Sequence, residues 1–198
     1  MFRTKLREIV STEWLNQNLS NSSIIILDAS ITTGANGKEF KKFDLTIPNA
    51  RFFDLQNVFL DKTSPFPNTI PKPEQFELEC RKLGINKDSE IVVFDNNGIY
   101  SSPRVYWLFK VMGHQKISFV DGGLPDCIEK RFQTEKKRIK TIEIGDFEVQ
   151  FNETLVVDFE WISINTIKKK FTIVDARSES RFNGIGKEPR EHFKKWKN

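Results

Sequence analysis

The sequence predicts an α/β fold with a parallel central sheet flanked by helices, followed by an incomplete second copy of the same fold. Three observations lead there. Four short apolar runs each end in aspartate: SIIILD (23–28), EIVVFD (90–95), KISFVD (116–121) and FTIVD (171–175). Helical patterns alternate with them, as in a layered α/β architecture. One helix–strand pair then recurs later in the chain with its spacing intact.

The elements follow in order. Ser11 is placed to cap STEWLNQNL, and Glu13 sits in the first turn, where the helix end favours negative charge. SIIILD and its counterparts are continuous β-branched and aromatic runs, which suit strands buried on both faces. Between Pro48 and Pro73 lie about 25 residues with no element of their own. That exceeds an ordinary connection and predicts a functional or covering loop. PEQFELECRKLG has Pro73 at its start and Gly84 at its stop. Within it Phe76, Cys80 and Leu83 fall on one apolar stripe, so Cys80 reads as core. SPRVYWLFKVMG has Ser102 as cap, Pro103 in the first turn and Gly113 as stop. Ligand chemistry in parallel sheets gathers at the carboxyl ends of the strands, where the four aspartates fall. From Arg131 to Lys140 the chain turns polar and basic, which reads as the start of an interdomain linker.

EWL (13–15) precedes LDAS and EWI (160–162) precedes VDAR; 14 residues separate Trp14 from Asp28, and 14 separate Trp161 from Asp175. A fixed spacing with the same element order predicts two tandem copies of one fold. Asp28 and Asp95 lie 67 residues apart, so a full second copy would place its matching strand end near position 242, beyond residue 198. The expected organisation is a first domain over 1–140, a linker over 141–155, and the start of a truncated second domain over 156–198.

Composition excludes several classes. The net charge of +4 comes from 31 basic and 27 acidic residues, concentrated in KKRIK (136–140), KKK (168–170) and the final KKWKN. Apart from Trp196 in the last block, these stretches lack the interleaved aromatics and glycines of a single-strand binder. No helix-turn-helix or zinc spacing accompanies them, so they read as solvated surface and not as a nucleic-acid site. No apolar run approaches the ~20 residues of a membrane span, and none of signal-peptide length is visible in MFRTKLREIV, so no secretion signal is expected. Cys80 and Cys127 form no CxxC, and His114 and His192 are too scattered for a metal site, so neither disulfide nor metal is expected. A reducing cytoplasm is the expected compartment.

Several segments resemble the two-domain rhodaneses, and specifically the 3-mercaptopyruvate and thiosulfate sulfurtransferases. They are VSTEWL, IILDAS, IPNARFFDL, DKTSPFPNTIPKPEQF, IVVFDNNGIYSSPRVYWLFKVMGH, FVDGGLPD and VDARSESRFNGIGKEPR. Together they cover about residues 8–190. The resemblance implies a rhodanese-like fold and sulfur transfer, from mercaptopyruvate or thiosulfate to cyanide or a thiol, through a persulfide. The carrier is a cysteine in the second domain, held in a cradle of backbone N–H groups that lowers its pKa. No cofactor is implied. The first-domain position matching that cysteine is Asp95, which cannot carry a persulfide, so no catalytic residue is assigned in this chain. Cys127, after VDGGLPD, stands where the family usually has a bulky aromatic and reads as packing. Arg181 and Arg190 match the two arginines that clamp the donor, and two guanidinium forks suit a planar α-keto acid. Gln56 and Asn68 stand where the family often places an Asp and a His.

Three readings follow from that resemblance. The chain is a family member without its cysteine loop and inactive alone, or a non-catalytic binding module, or half of a split enzyme completed by a downstream chain. The expected ligand is a small anionic sulfur donor, with neither nucleic acid nor membrane as partner.

Overall fold

Segments that are apolar on both faces need cover on both, and the chain supplies it with a sheet between two helical layers. The computed structural model describes residues 7–34, 37–137 and 141–186. Its strands are Ile9–Ser11 (β1), Ile24–Asp28 (β2), Leu45–Thr46 (β3), Arg51–Phe52 (β4), Glu90–Phe94 (β5), Ile117–Asp121 (β6) and Glu135–Lys136 (β7). Five form one parallel sheet in the order β1-β6-β5-β2-β4, while β3 and β7 pair antiparallel. The α/β expectation and the three first-copy strands hold.

Alternation along the strands divides the core. Ile25, Leu27, Ile91 and Val93 pack on one face with Pro73–Lys82 (α2) and Ser102–Val111 (α3). Ile26, Val92, Phe94 and Val120 pack on the other with Thr12–Asn18 (α1) and Gly123–Glu129 (α4). The first face is rich in phenylalanine: Phe76 meets Phe109 edge-on at 5.0 Å between ring centres. Ser11 caps α1 as expected, its Oγ accepting from the Trp14 amide at 3.2 Å. Ser102 does not cap α3; it is the first helical residue, and its hydroxyl is committed elsewhere.

Over residues 141–152, inside the stretch expected to link the copies, the chain forms an extended strap on the first unit. Gly145 donates to the Arg81 carbonyl at 2.8 Å, Phe147 to that of Ile85 at 3.1 Å, and Asn152 to that of Val111 at 2.7 Å. Arg81 Nε returns a bond to the Phe147 carbonyl at 2.8 Å. A Cβ at position 145 would collide with the Ile85 carbonyl oxygen, so only glycine lets the strap lie this close. Phe147 is fully buried between Phe76 and Phe109.

Contacts divide the chain into two compact units after Asn152, with Thr33–Glu39 grouped with the second. The second unit contains a 3-10 turn at Glu153–Leu155, then Phe159–Lys168 (α5) and Glu179–Phe182 (α6). It repeats details of the first. Asp158 caps α5 by accepting from the Trp161 amide at 2.7 Å, as Ser11 does for Trp14. The side chain of Asn165 both donates to and accepts from the backbone of Phe171, at 2.9 Å each, tying α5 to the segment after it. FTIVD (171–175), expected as a strand, is not one. A strand exists through its ladder, no neighbour pairs with this segment among the described residues, and Val174 is 83% exposed.

Two predictions follow from the packing. Phe147→Ala should lower the unfolding free energy by about 3 kcal/mol, because a buried ring leaves a cavity. Phe159→Ala, at a 78% exposed site, should change it little; urea unfolding followed by circular dichroism compares the two. His114 is buried against Phe109 and Phe147 and donates Nε2–H to the Ser89 carbonyl at 3.0 Å. Burial pushes its pKa below the ordinary value, outweighing the backbone bonds that raise it. Its contribution to stability is therefore complete above the ordinary pKa of about 6.5 and is lost as pH falls through the lowered folded value. Melting temperatures measured from about pH 7.5 down to 5 should fall less steeply in His114→Gln.

Candidate functional site

The sheet turns into α3 through residues 95–101, at the carboxyl end of its central strand. Asp95 follows β5 directly and is fully buried. A buried carboxylate must be met by donors, and this one collects five. Its Oδ1 accepts from the Asn97 amide at 2.8 Å. Its Oδ2 accepts from the amides of Tyr100, Ser101 and Ser102 at 2.8, 2.9 and 2.9 Å, and from the Ser102 hydroxyl at 2.8 Å. Ser101 and Ser102 open α3, so these are the amides a helix start leaves unpaired, and the helix dipole favours the negative charge.

The surroundings hold this loop in place. Ser101 Oγ donates to the Ala29 carbonyl at 2.7 Å, and Leu124 N to the Asp95 carbonyl at 3.0 Å. Asn96, also buried, donates through Nδ2 to the carbonyls of Ile31 and Lys41 at 3.2 and 2.9 Å. The result is an anion cradle whose anion belongs to the loop itself. Sequence reading placed Asp95 at the strand end but missed the parts of Asn96, Ser101 and Ser102. The Asp-Asn-Asn-Gly turn followed by paired serines before Pro103 is the local signal from which they could have been found.

The strand end at Asp28 is built differently. Asp28 accepts from the Ser30 amide at 3.0 Å and pairs with Lys137 Nζ at 3.2 Å. Its counterpart Asp175 accepts from the Arg177 amide at 2.9 Å and from that guanidinium at 2.5–3.0 Å. Hydrogen bonds from Arg177 hold the Asp175 carboxyl below its usual range, and the charge of Arg181 adds to this.

Neither cysteine meets the cradle. Cys80 lies in α2, where burial pushes its thiol pKa well up. Cys127 lies within α4 and is pushed up to about 11, first by burial and then by the charge of Asp126. Arg181 is half-buried on α6, and Arg190 lies outside the described residues. Gln56 Oε1 accepts from the Thr32 amide at 3.4 Å, and the Asn68 carbonyl accepts from the Arg104 guanidinium. Neither side chain is among the partners of Asp95. Among the described residues no three His, Cys, Asp or Glu side chains are grouped to hold a metal ion, and no helix is long and apolar enough to cross a membrane.

The sequence profile of the Rhodanese-like domain matches residues 11–130. The chain belongs to the rhodanese family. It is 33% identical over 210 residues to the thiosulfate/3-mercaptopyruvate sulfurtransferase 1, mitochondrial, of Arabidopsis thaliana, covering 92% of this chain and 54% of that protein. It is 32% identical over 184 residues to the 3-mercaptopyruvate sulfurtransferase of Escherichia coli, covering 91% and 65%. The human 3-mercaptopyruvate sulfurtransferase is 30% identical, with 93% and 64% covered. Among solved structures, the Escherichia coli 3-mercaptopyruvate sulfurtransferase SseA superposes with a TM-score of 0.81 at 30% identity, over 90% of this chain and 68% of that one. Tum1 of Saccharomyces cerevisiae gives 0.77 at 26% identity, over 93% and 65%. The chain thus spans a little over half to about two thirds of the length of these rhodaneses.

Removing the carboxylate should cost the fold more than a surface change does. Asp95→Ala leaves buried amides without an acceptor and should destabilise by about 3 kcal/mol. Asp95→Asn, whose NH2 faces the same donors, should lose about 2 kcal/mol. Urea titration checks both, and near-native stability of Asp95→Ala would contradict the cradle.

Proposed function

We propose that this chain corresponds to the non-catalytic first domain and the opening of the catalytic second domain of a 3-mercaptopyruvate or thiosulfate sulfurtransferase. The 198-residue polypeptide alone does not turn over. The observation that carries this reading is the filled cradle at Asp95. Sulfur transfer needs a group that bonds a sulfur atom and later releases it, and a thiolate of lowered pKa does this well. Here a carboxylate already occupies the N–H groups that would stabilise such an anion. Cys80 and Cys127, with their raised pKa values, are poor nucleophiles by the same reasoning.

Arg181 and Arg190 are proposed to clamp the carboxylate and keto oxygens of the donor, a small anion, with no cofactor. Both cysteines are buried and unbridged, which suits a reducing compartment such as the cytoplasm. The proposed division is a first domain at 1–140, a linker at 141–155 whose strap packs on that domain, and a partial second domain at 156–198. A second reading, completion by further polypeptide in the same or a separate chain, is favoured by the apolar exposure of the second unit. Phe159, Ile167, Val174 and Ile185 are 78–84% exposed there, more apolar surface than a finished small unit shows.

The chain incubated with mercaptopyruvate or thiosulfate and cyanide should form no thiocyanate above background. Mass spectrometry should find no adduct of one sulfur atom. Turnover abolished by Cys127→Ser would overturn the reading and make Cys127 the nucleophile. Turnover appearing only when a polypeptide bearing a cysteine loop is added would establish the split enzyme.

A further inference from the structure

A second place in the first unit has the makings of an anion site, and it lies at the other end of the sheet from Asp95. A cleft of about 600 Å³ runs along the first residues of β2, ahead of the point where β4 pairs with it. Its walls are the turn before β2, the first residues of that strand, Asn49 with Arg51, Gly84 with Asn86, and the strap at 141–145. That volume is within the range of sites for small molecules.

The cleft contains a charge that no acid among the described residues pairs with. Arg51 is half-buried, and its side chain makes one hydrogen bond among the described residues, from Nη1 to the Leu83 carbonyl at 2.5 Å. A carbonyl carries no compensating charge, and buried cations are as a rule paired with an anion. Withdrawal from water accordingly lowers the Arg51 pKa. A guanidinium has five N–H donors in a planar fork, so one edge remains for a carboxylate or phosphate held by two parallel bonds. Glu143 is the single acid in the lining; its side chain is exposed and makes no ion pair with Arg51. The rest of the polar lining consists of hydroxyls and amides: Ser20, Asn21, Ser22, Asn49, Asn86 and Thr141.

The wall opposite is built to close tolerances. Gly84 has φ +65, and a Cβ there would come within 2.6 Å of Ile142 Cγ2, 2.8 Å of the Glu143 carbonyl oxygen and 2.9 Å of Arg51 Nη1. Glycine thus lets the strap and the guanidinium approach one point. Asn86 Oδ1 accepts from the Asp146 amide at 2.9 Å, which anchors the strap just beyond the cleft.

We propose that this cleft binds a small oxyanion, a carboxylate or a phosphate group, with Arg51 as its counter-charge. The site is separate from sulfur transfer and stands or falls independently of it. Its test is a titration of the isotopically labelled 198-residue chain, in separate arms with inorganic phosphate and with malonate, at ionic strength held constant with chloride. Saturable shifts of the Gly84, Asn86 and Gly145 amides and of the Arg51 side-chain N–H are expected, with a Kd on the order of 1 mM. The arm that saturates at lower concentration identifies the anion class. Arg51→Gln should weaken binding ~10-fold or more, while Lys82→Gln on the exposed face of α2 should leave it unchanged. If Arg51→Gln fails to fold, protection of Arg51 from phenylglyoxal by the same anions in the unaltered chain gives the same answer. Shifts that rise linearly in both arms, that persist in Arg51→Gln, or an Arg51 that reacts equally with and without anion would overturn the proposal.

Discussion

A carboxylate with no water around it must be surrounded by donors, and the first unit is arranged so that Asp95 is. The strand must end where it does, the turn must point successive amides inward, and α3 must start at Ser102, for five donors to converge on two oxygens. The bonds of Ser101 and Asn96 to the segment after β2 then tie this loop to its neighbour. Such an arrangement would suit any anion. In this chain the anion is covalently attached, so the same geometry that could serve chemistry serves stability.

Much of the first unit was legible because its signals are local. Apolar runs gave β2, β5 and β6; Pro73 and Gly84 bracketed α2; and the aspartate closing EIVVFD marked the loop where it lies. What stayed hidden depends on partners distant in sequence. Ser102 looks like a helix cap because serine before Pro103 usually is one, yet its hydroxyl turns back to a carboxylate seven residues earlier. The strap does alternate, in Ile142-Glu143-Ile144 and again in Phe147-Glu148-Val149-Gln150-Phe151. Only Phe147 among these apolar residues is fully buried, however, and the carbonyls that the segment runs along lie far off in the chain. β1 is three residues long and takes its strand character from pairing with β6 across more than a hundred residues.

The second unit shows the limit from the other side. Its local instructions are carried out: Asp158 caps, Trp161 sits in the first turn and Asp175 folds its own turn around the Arg177 amide. FTIVD nevertheless joins no strand among the described residues, because β-structure is a property of neighbours. Arg181 shows the same for the candidate site: a residue type and position can be read, but a binding geometry needs the other wall.

The strap has a consequence for how the chain is made. A polypeptide emerges from the ribosome in order, at about 5–20 residues per second. The core on the α1–α4 side has all its residues once Phe132 is made, but the ring that fills the space between Phe76 and Phe109 arrives only with Phe147. For the roughly 1–3 seconds this takes, the sheet and one core can be complete while the other core is still open. A nascent chain in that interval shows apolar surface on the α2–α3 side alone, which is where a chaperone acting during synthesis would find something to hold.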